Sequence, residues 1–220
     1  RHYINILDKE AAATFVKVTH DSYERALCPI GDYVEAFFTD EPSLISTYVP
    51  AGLDYPKTLP WHESLPRIFQ SRKGYDITPH WASLFEDTGE IDRKIRCDFY
   101  EVISDLCAEN YFGQLQNWCL AHKVMSSGHL LGEETLVWQT LFNGDPFTCY
   151  RRFDMPGIDM ILSSPERIMQ DREPFFLVPK VASSAARLQG KRRVMCEISD
   201  FFGMMGGRHA SLAQMKCTAG

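Results

Sequence analysis

Apolar positions recur along this chain in two rhythms, a helical one of three to four residues and a shorter strand-like one, and the two alternate. Tyr3 to Leu7 is a short strand-like run. Asp8 then stands where a helix cap belongs. Ala12, Phe15, Val16, Tyr23, Ala26 and Leu27 fall on one face of a helix expected from about Lys9 to Leu27. Gly31 and Asp32 predict a turn into a strand over Val34 to Phe38. Strand, helix and strand within roughly thirty residues is the size and order of a βαβ unit, which implies a parallel pair. Helical spacing resumes at Trp61 to Ser71, at Pro79 to Phe85, and over a long stretch from about Ile91 to His122. There Ile95, Phe99, Val102 and Leu106 give one face, which Leu115, Trp118 and Cys119 continue.

The second half repeats the plan. An apolar strand starting near Val124 ends near His129, and a helix from about Glu134 carries Leu136, Val137, Thr140 and Leu141. Pro156 and Gly157 punctuate before a strand over Ile158 to Leu162. A short apolar run over Phe175 to Lys180 precedes a helix of small residues that Gly190 ends. A strand over Val194 to Cys196 finishes in Glu197, and a last helix begins at Ser211. Strands alternating with helices imply a parallel sheet covered by helices. An open doubly wound sheet of the dinucleotide-binding kind calls for GxGxxG or a P-loop after a strand, and neither occurs. Polar groups instead finish several different strands, the distribution of a barrel whose site lies at the C-terminal ends of its strands. The expected fold is therefore an α/β (β/α)8 TIM-type barrel. A full barrel takes about 250 residues and eight strands, against roughly five or six strand-like runs here, so the chain reads as an incomplete fragment of one.

The stretch from Ser43 to Pro60 is rich in Pro, Gly, Tyr and Thr and has no periodicity. A loop of that length in a compact domain is usually functional, so it is read as an insertion over the site; the plainer alternative is a tolerated surface insertion. Composition changes little. The 220 residues suffice for one sizeable core, and 45% hydrophobic with 24% charged residues is ordinary globular usage. A net charge of -6 without a long basic run argues against a nucleic-acid partner. Lys191 to Arg193 reads as a solvated turn before a strand. No apolar stretch reaches the roughly 18 residues of a membrane helix. The chain opens at Arg1 rather than at a methionine, and the segment reads as part of something longer. The 7 cysteines include no CxxC pair, suggest neither a zinc site nor a disulfide framework, and fit a reducing compartment slightly better than an oxidising one.

The chemistry concentrates at strand ends. Asp40 and Glu41 end one strand and His129 the next, with Glu133 and Glu134 on the following loop. Asp154 and Asp159 flank and enter a third strand, and Glu197 ends the last. Each has a plain structural reading. A single His is more often a hydrogen-bonded structural residue than a catalyst, Glu134 suits a helix N-terminus, and Asp159 suits a buried hydrogen-bonding role. Asp40, Glu41 and Glu197 are harder to explain that way, because core strands avoid unpaired charge. Two carboxylates facing across a pocket suit glycoside cleavage, one protonating the leaving oxygen while the other attacks or activates water. Trp61, Tyr48, Tyr55, His62 and Trp138 lie in or near candidate loops as possible sugar platforms. A metal-dependent hydrolase built on His129 lacks a second histidine at ligand spacing.

The segments FFTDEPSL, RKGYDI, RCDFYEVISDL, NYFGQLQNWCLAHKV, SGHLLGEE, DMPGIDMIL, PKVASSAARLQG and RRVMCEISDFFG occur in this order and cover nearly the whole chain. The series resembles the catalytic barrel of bacterial glycoside hydrolases similar to the family 106 alpha-L-rhamnosidases. The resemblance implies a (β/α)8 barrel inside a larger multidomain enzyme, secreted or periplasmic, with further domains of the same chain and a glycoside or oligosaccharide substrate. It implies an acid on the fourth strand and a second glutamate on the seventh, which fall on Glu41 and Glu197 as the catalytic pair. Asp40, Trp61, His62, His129, Glu133, Asp159 and Lys180 are then the expected substrate-binding residues. Rhamnosidases of this kind are inverting and calcium-assisted. Asp40, Glu133 and Glu134 are available carboxylates, but no calcium ligand matches residue by residue. The two glutamates also resemble those of the retaining beta-glycosidase clan, so the stereochemistry stays open. The alternative function is a non-catalytic carbohydrate-binding or scaffold domain.

Overall fold

The computed structural model describes residues 3–45, 58–133, 135–160, 177–198 and 212–213. Helix α1 spans Lys9–Ala26, and the Asp8 carboxylate caps it by accepting from the backbone N–H groups of Glu10 at 2.8 Å and Ala11 at 3.2 Å. Such a cap is worth about 1 kcal/mol. A short turn of 3-10 helix, Ile30–Asp32, leads to strand β1, Ala36–Thr39. Then follow α2 (Leu65–Lys73), a 3-10 segment (Thr78–Leu84), α3 (Asp92–Cys107), a π-helical turn (Ala108–Phe112) and α4 (Gly113–Ala121). Strand β2 is Met125–Gly128, α5 is Leu136–Asn143, α6 is Pro146–Tyr150, β3 is Met155–Met160, α7 is Leu177–Leu188 and β4 is Met195–Ile198.

The four strands form one parallel sheet in the order β1-β2-β3-β4. The register pairs Thr39 with Gly128, Gly128 with Pro156, and Asp159 with Glu197. Helices supply the crossovers, as parallel pairing requires. The main core is built from α3 and the π-helical turn. Phe99, Val102, Ile103 and Leu106 recur at helical spacing and bury against Leu65, Phe69, Tyr150 and Phe153. A second cluster seats Val178 and Ala182 of α7 on Ile158 and Met160 of β3. A third gathers Ile30, Trp118, Cys119 and Val124.

The barrel expectation is corrected. Among the described residues the sheet has four strands and does not close, with β1 and β4 at its edges. Alternation of strands and helices dictates parallel pairing but not closure, which needs strand number and stagger to agree around a full circle. The expected strand over Tyr3 to Leu7 is absent, and with it the first βαβ unit. The Asn5 side chain accepts the Leu7 N–H at 3.1 Å and the Asn5 carbonyl accepts the Asp8 N–H at 3.0 Å, so the backbone turns instead of extending. Ile6 and Leu7 are buried as plugs of the main core. The long helix expected from Ile91 to His122 is broken by the π-helical turn. In α1, His20 is buried while Tyr23 is exposed, so the buried face is rotated from the expected one. Leu177 to Lys180 is the first turn of α7 rather than a separate run. Lys191 is no solvated turn residue: its ammonium donates to the carbonyls of Tyr150, Arg151 and Phe153 and so caps α6. Most of the expected insertion over 43–60, the strand end at Leu162, and nearly all of the final helix lie outside the described residues. No helix among the described residues is long and apolar enough to cross a membrane, and Cys28, Cys97, Cys107, Cys119, Cys149 and Cys196 are free thiols.

Two glycines set how closely the strands approach. A Cβ on Gly128, whose φ is +147°, would lie 2.2 Å from the Thr39 carbonyl oxygen, and one on Gly157 would lie 2.5 Å from the Gly128 carbonyl oxygen. Both obstacles are backbone, so neither can yield by a rotamer change. Replacing Gly128 by Ala is expected to destabilise the fold by at least about 2 kcal/mol, read as a lower urea midpoint. Gly89→Ala, where a Cβ meets open space, is the control. Equal midpoints for the two variants would show that the β1–β2 approach is not constrained by this glycine.

Candidate functional site

The parallel register brings the expected groups to one edge of the sheet. Asp40 and Glu41 follow β1 directly, and His129 follows β2. Asp159 and Glu197 are partners across β3 and β4. Like charges directly opposite on neighbouring strands repel, so the edge needs a cation. His129 occupies that place. Its side chain is 1% exposed, and its Nε2 lies 2.9 Å from Oε2 of Glu197 and 3.6 Å from Oδ1 of Asp40. A ring nitrogen of His129 and carboxylate oxygens of Glu41 and Asp159 also lie within 4.8 Å of one another. Continuing the register by one residue aligns His129 with Gly157, which itself pairs with Met195. Strand alternation then puts Asp159 and Glu197 on the same face, one row further on. His129 therefore reaches Glu197 across β3, between backbones about 10 Å apart, over a position that has no side chain.

Burial opposes a charged imidazole, but the hydrogen bond His129 donates to Glu197 and the charges of Glu133, Asp159 and Glu41 outweigh it and raise the His129 pKa. Nδ1 of His129 is buried without a hydrogen-bond partner among the described residues. The Phe38 ring stands edge-on to the imidazole at 5.3 Å.

Glu133 has the opposite setting. It is 4% exposed. Its carboxylate accepts from the Leu130 N–H at 3.1 Å, the Asp159 N–H at 2.8 Å and the Tyr150 hydroxyl. Desolvation pushes its pKa up, those hydrogen bonds pull it back, and the balance lies at about 7. Tyr150 also donates toward the Gly157 carbonyl at 3.0 Å, and burial with the charge of Glu133 pushes its own pKa up. Glu133 thus ties the loop after β2 to α6 and to β3 directly beneath the edge. Asp154 does the same one step earlier, accepting from the Ser126 backbone and hydroxyl, each at 3.0 Å. Nothing in the sequence marks Tyr150 as the partner of Glu133; Gly128, between two serines and a histidine at a strand end, was the available signal for the close approach.

Glu41 is half-buried and its φ is +43°. A non-glycine residue in the left-handed region costs about 1–2 kcal/mol, and such strain concentrates at functional sites. Two residues further on, Ser43 helps to line a cavity of about 190 Å³ together with Tyr3, Asn5, Leu59 and Trp61, among others; Glu41 is not one of its lining residues. The Tyr3 hydroxyl accepts the Ser43 N–H at 3.1 Å; burial raises its pKa, and the charge of Glu41 adds to the rise. Trp61 is 51% exposed and leans on Trp81, with ring centroids 5.5 Å apart. His62 lies apart, 4.0 Å from Asp8, and Lys180 sits on an exposed face of α7. Glu134, Tyr48 and Tyr55 lie outside the described residues.

Calcium takes six to eight oxygen ligands; among the described residues, both sets of three side chains that approach ligand distance include the His129 imidazole as one member.

No protein-family model and no curated protein matches the chain. Among solved structures, a rhamnosidase from Novosphingobium sp. PP1Y is similar over 88% of this chain, with a TM-score of 0.61 and 19% sequence identity. The matched region spans 17% of that protein's length. At this identity the likeness is one of fold.

Two outcomes follow from the geometry. Between the ordinary carboxyl value of 4.5 and the folded value of about 7, the unfolded chain releases the Glu133 proton while the folded chain keeps it. Stability from this group is therefore full below pH 4.5 and is lost as pH rises through 7, by roughly 3 kcal/mol in all. His129, with its raised pKa, adds loss in the same direction. Glu133→Gln should flatten unfolding free energies measured from pH 4.5 to 8; an unchanged slope would contradict the assignment. Separately, Glu41→Gly should raise stability by about 1 kcal/mol by removing the left-handed penalty. A lower melting midpoint for that variant would mean the carboxylate contributes more to the fold than its backbone takes away.

Proposed function

We propose that this chain carries the carboxylate site of an inverting glycoside hydrolase acting on an alpha-L-rhamnoside or a related sugar. The observation that carries the reading is the convergence of Asp40, Glu41, Asp159 and Glu197 on His129 at the C-terminal ends of parallel strands. The fold likeness to a rhamnosidase supports it. Glu41 is the acid. It is half-buried, held in a left-handed backbone conformation and grouped with His129 and Asp159. Glu197 is the base. Its side chain is 44% exposed, so a water can reach it, while one oxygen stays tied to His129.

In the reaction, a water oxygen bonds to the anomeric carbon as the glycosidic carbon–oxygen bond breaks. Glu41 gives its proton to the leaving oxygen, and Glu197 takes a proton from the attacking water. Asp40 and Asp159 lie where sugar hydroxyls can donate to them, and Trp61 offers an apolar face to a sugar ring.

The test uses the natural full-length protein. Glu41→Gln should slow glycosides with poor leaving groups by about 10²–10⁴-fold and activated aryl glycosides far less. Equal losses on both substrates would remove the acid role. Proton NMR of the first-formed sugar should show the anomer opposite to the substrate's; the same anomer would make Glu197 a nucleophile. Binding of oligosaccharide with no turnover of any glycoside would establish a carbohydrate-binding domain instead.

A further inference from the structure

His129 is the most buried polar group of the edge, and no substrate hydroxyl reaches a side chain that is 1% exposed. Its connections nevertheless span the sheet. The backbone N–H of His129 donates to the Thr39 carbonyl of β1 at 3.3 Å, and its side chain meets Glu197 of β4 at 2.9 Å. Glu197 stands on an edge strand of four residues. Without a partner its carboxylate would sample several rotamers in solvent, and fixing them carries an entropic cost.

We propose that His129 is a positioning residue: through its Nε2 it holds the Glu197 carboxylate over β3, in the orientation from which that carboxylate takes a proton from water. The inference rests on the reading of Glu197 as the base. Nε2–H donates to one oxygen of Glu197 and leaves the other to face the substrate. The carboxylates of the neighbouring elements favour the protonated imidazole, which in turn offsets their charge. The carboxylates are Asp40 and Glu41 after β1, Glu133 on the loop after β2, Asp159 on β3 and Glu197 on β4. The Cys196 thiol, pushed up to about 11 by desolvation and the same carboxylates, stays neutral and adds no charge. Gly157 beneath the bridge is part of the device, because a side chain there would meet the Gly128 carbonyl and the Met195 methyl, each at 2.5 Å.

The experiment has two arms on the natural full-length protein. In the first, His129→Leu and His129→Gln are compared on an activated aryl rhamnoside. Misplacing a reacting group by about 1 Å is worth roughly 10²-fold, so His129→Leu should lower kcat by about that factor with KM nearly unchanged. Gln presents an N–H near the position of Nε2 and should restore much of the loss. A buried residue that serves only the fold would not be rescued in kcat by a hydrogen-bond donor once folded protein is quantified by its unfolding transition. Full kcat in His129→Leu, or no rescue by Gln, overturns the proposal. The second arm needs neither substrate nor a folded His129 variant. The imidazole of His129 is titrated by 15N NMR in the unmodified protein and in Glu197→Gln. The titration midpoint should move down in the variant, since the bond to Glu197 is one of the interactions raising it. An unmoved midpoint overturns the pairing. Absence of turnover by the unmodified protein would overturn the hydrolase reading and this role together, whereas a working enzyme with an indifferent His129 would overturn this role alone.

Discussion

Carboxylates at the ends of adjacent parallel strands repel one another, and the edge of this sheet exists because a buried imidazole stands among them. Asp159 and Glu197 are direct register partners, and Asp40 and Glu41 arrive from two strands away. The carboxylates raise the His129 pKa, so the protonated imidazole is favoured among them, and its Nε2 joins the ends of β2 and β4 beside the ladder hydrogen bonds.

The imidazole can stand there because the backbone makes room. Gly128 lets β1 approach β2 to a distance no side chain would allow, and Gly157 does the same between β2 and β3. The space that a side chain at Gly157 would need is taken by the Gly128 carbonyl and the Met195 methyl. Glu133 supports this from below. Its carboxylate holds the Asp159 N–H and the loop that follows His129, so the position of the cluster depends on a group that no solvent touches. Burial makes Glu133 weakly acidic, while Glu197, one layer outward, is open to water and paired with a cation. Two carboxylates of the same type thus stand in different environments, one buried and one open to water.

Much of this was readable from residue order. The capping Asp8, the apolar face of α3 and parallel strands finishing near Asp40, His129 and Glu197 follow from periodicity and from the rule that alternating strands and helices pair in parallel, whereas β3 begins at Met155, through the Pro156-Gly157 pair that reads as punctuation before it. What could not be read depends on distant contacts or on local competition. Asn5 turns a stretch whose composition suits a strand. The π-helical turn at Ala108 to Phe112 interrupts a helix whose periodicity runs straight through it. The pairing of Tyr150 with Glu133 joins residues on different elements. Closure of the sheet into a barrel is a property of strand number and stagger, which no local pattern carries, and the open four-stranded sheet departs from the expected barrel there.

The strain at Glu41 fits the same logic. A glutamate followed by proline is disfavoured in helical backbone, and a left-handed φ is a further expense that glycine or asparagine would avoid. Nothing about a turn after β1 demands a glutamate, so its side chain must answer to something other than the turn. It is grouped with His129 and Asp159, and its charge also acts on the Tyr3 phenol. The backbone strain at this position therefore places a carboxylate within the cluster around His129. Glu133 stands in contrast, with its every contact internal.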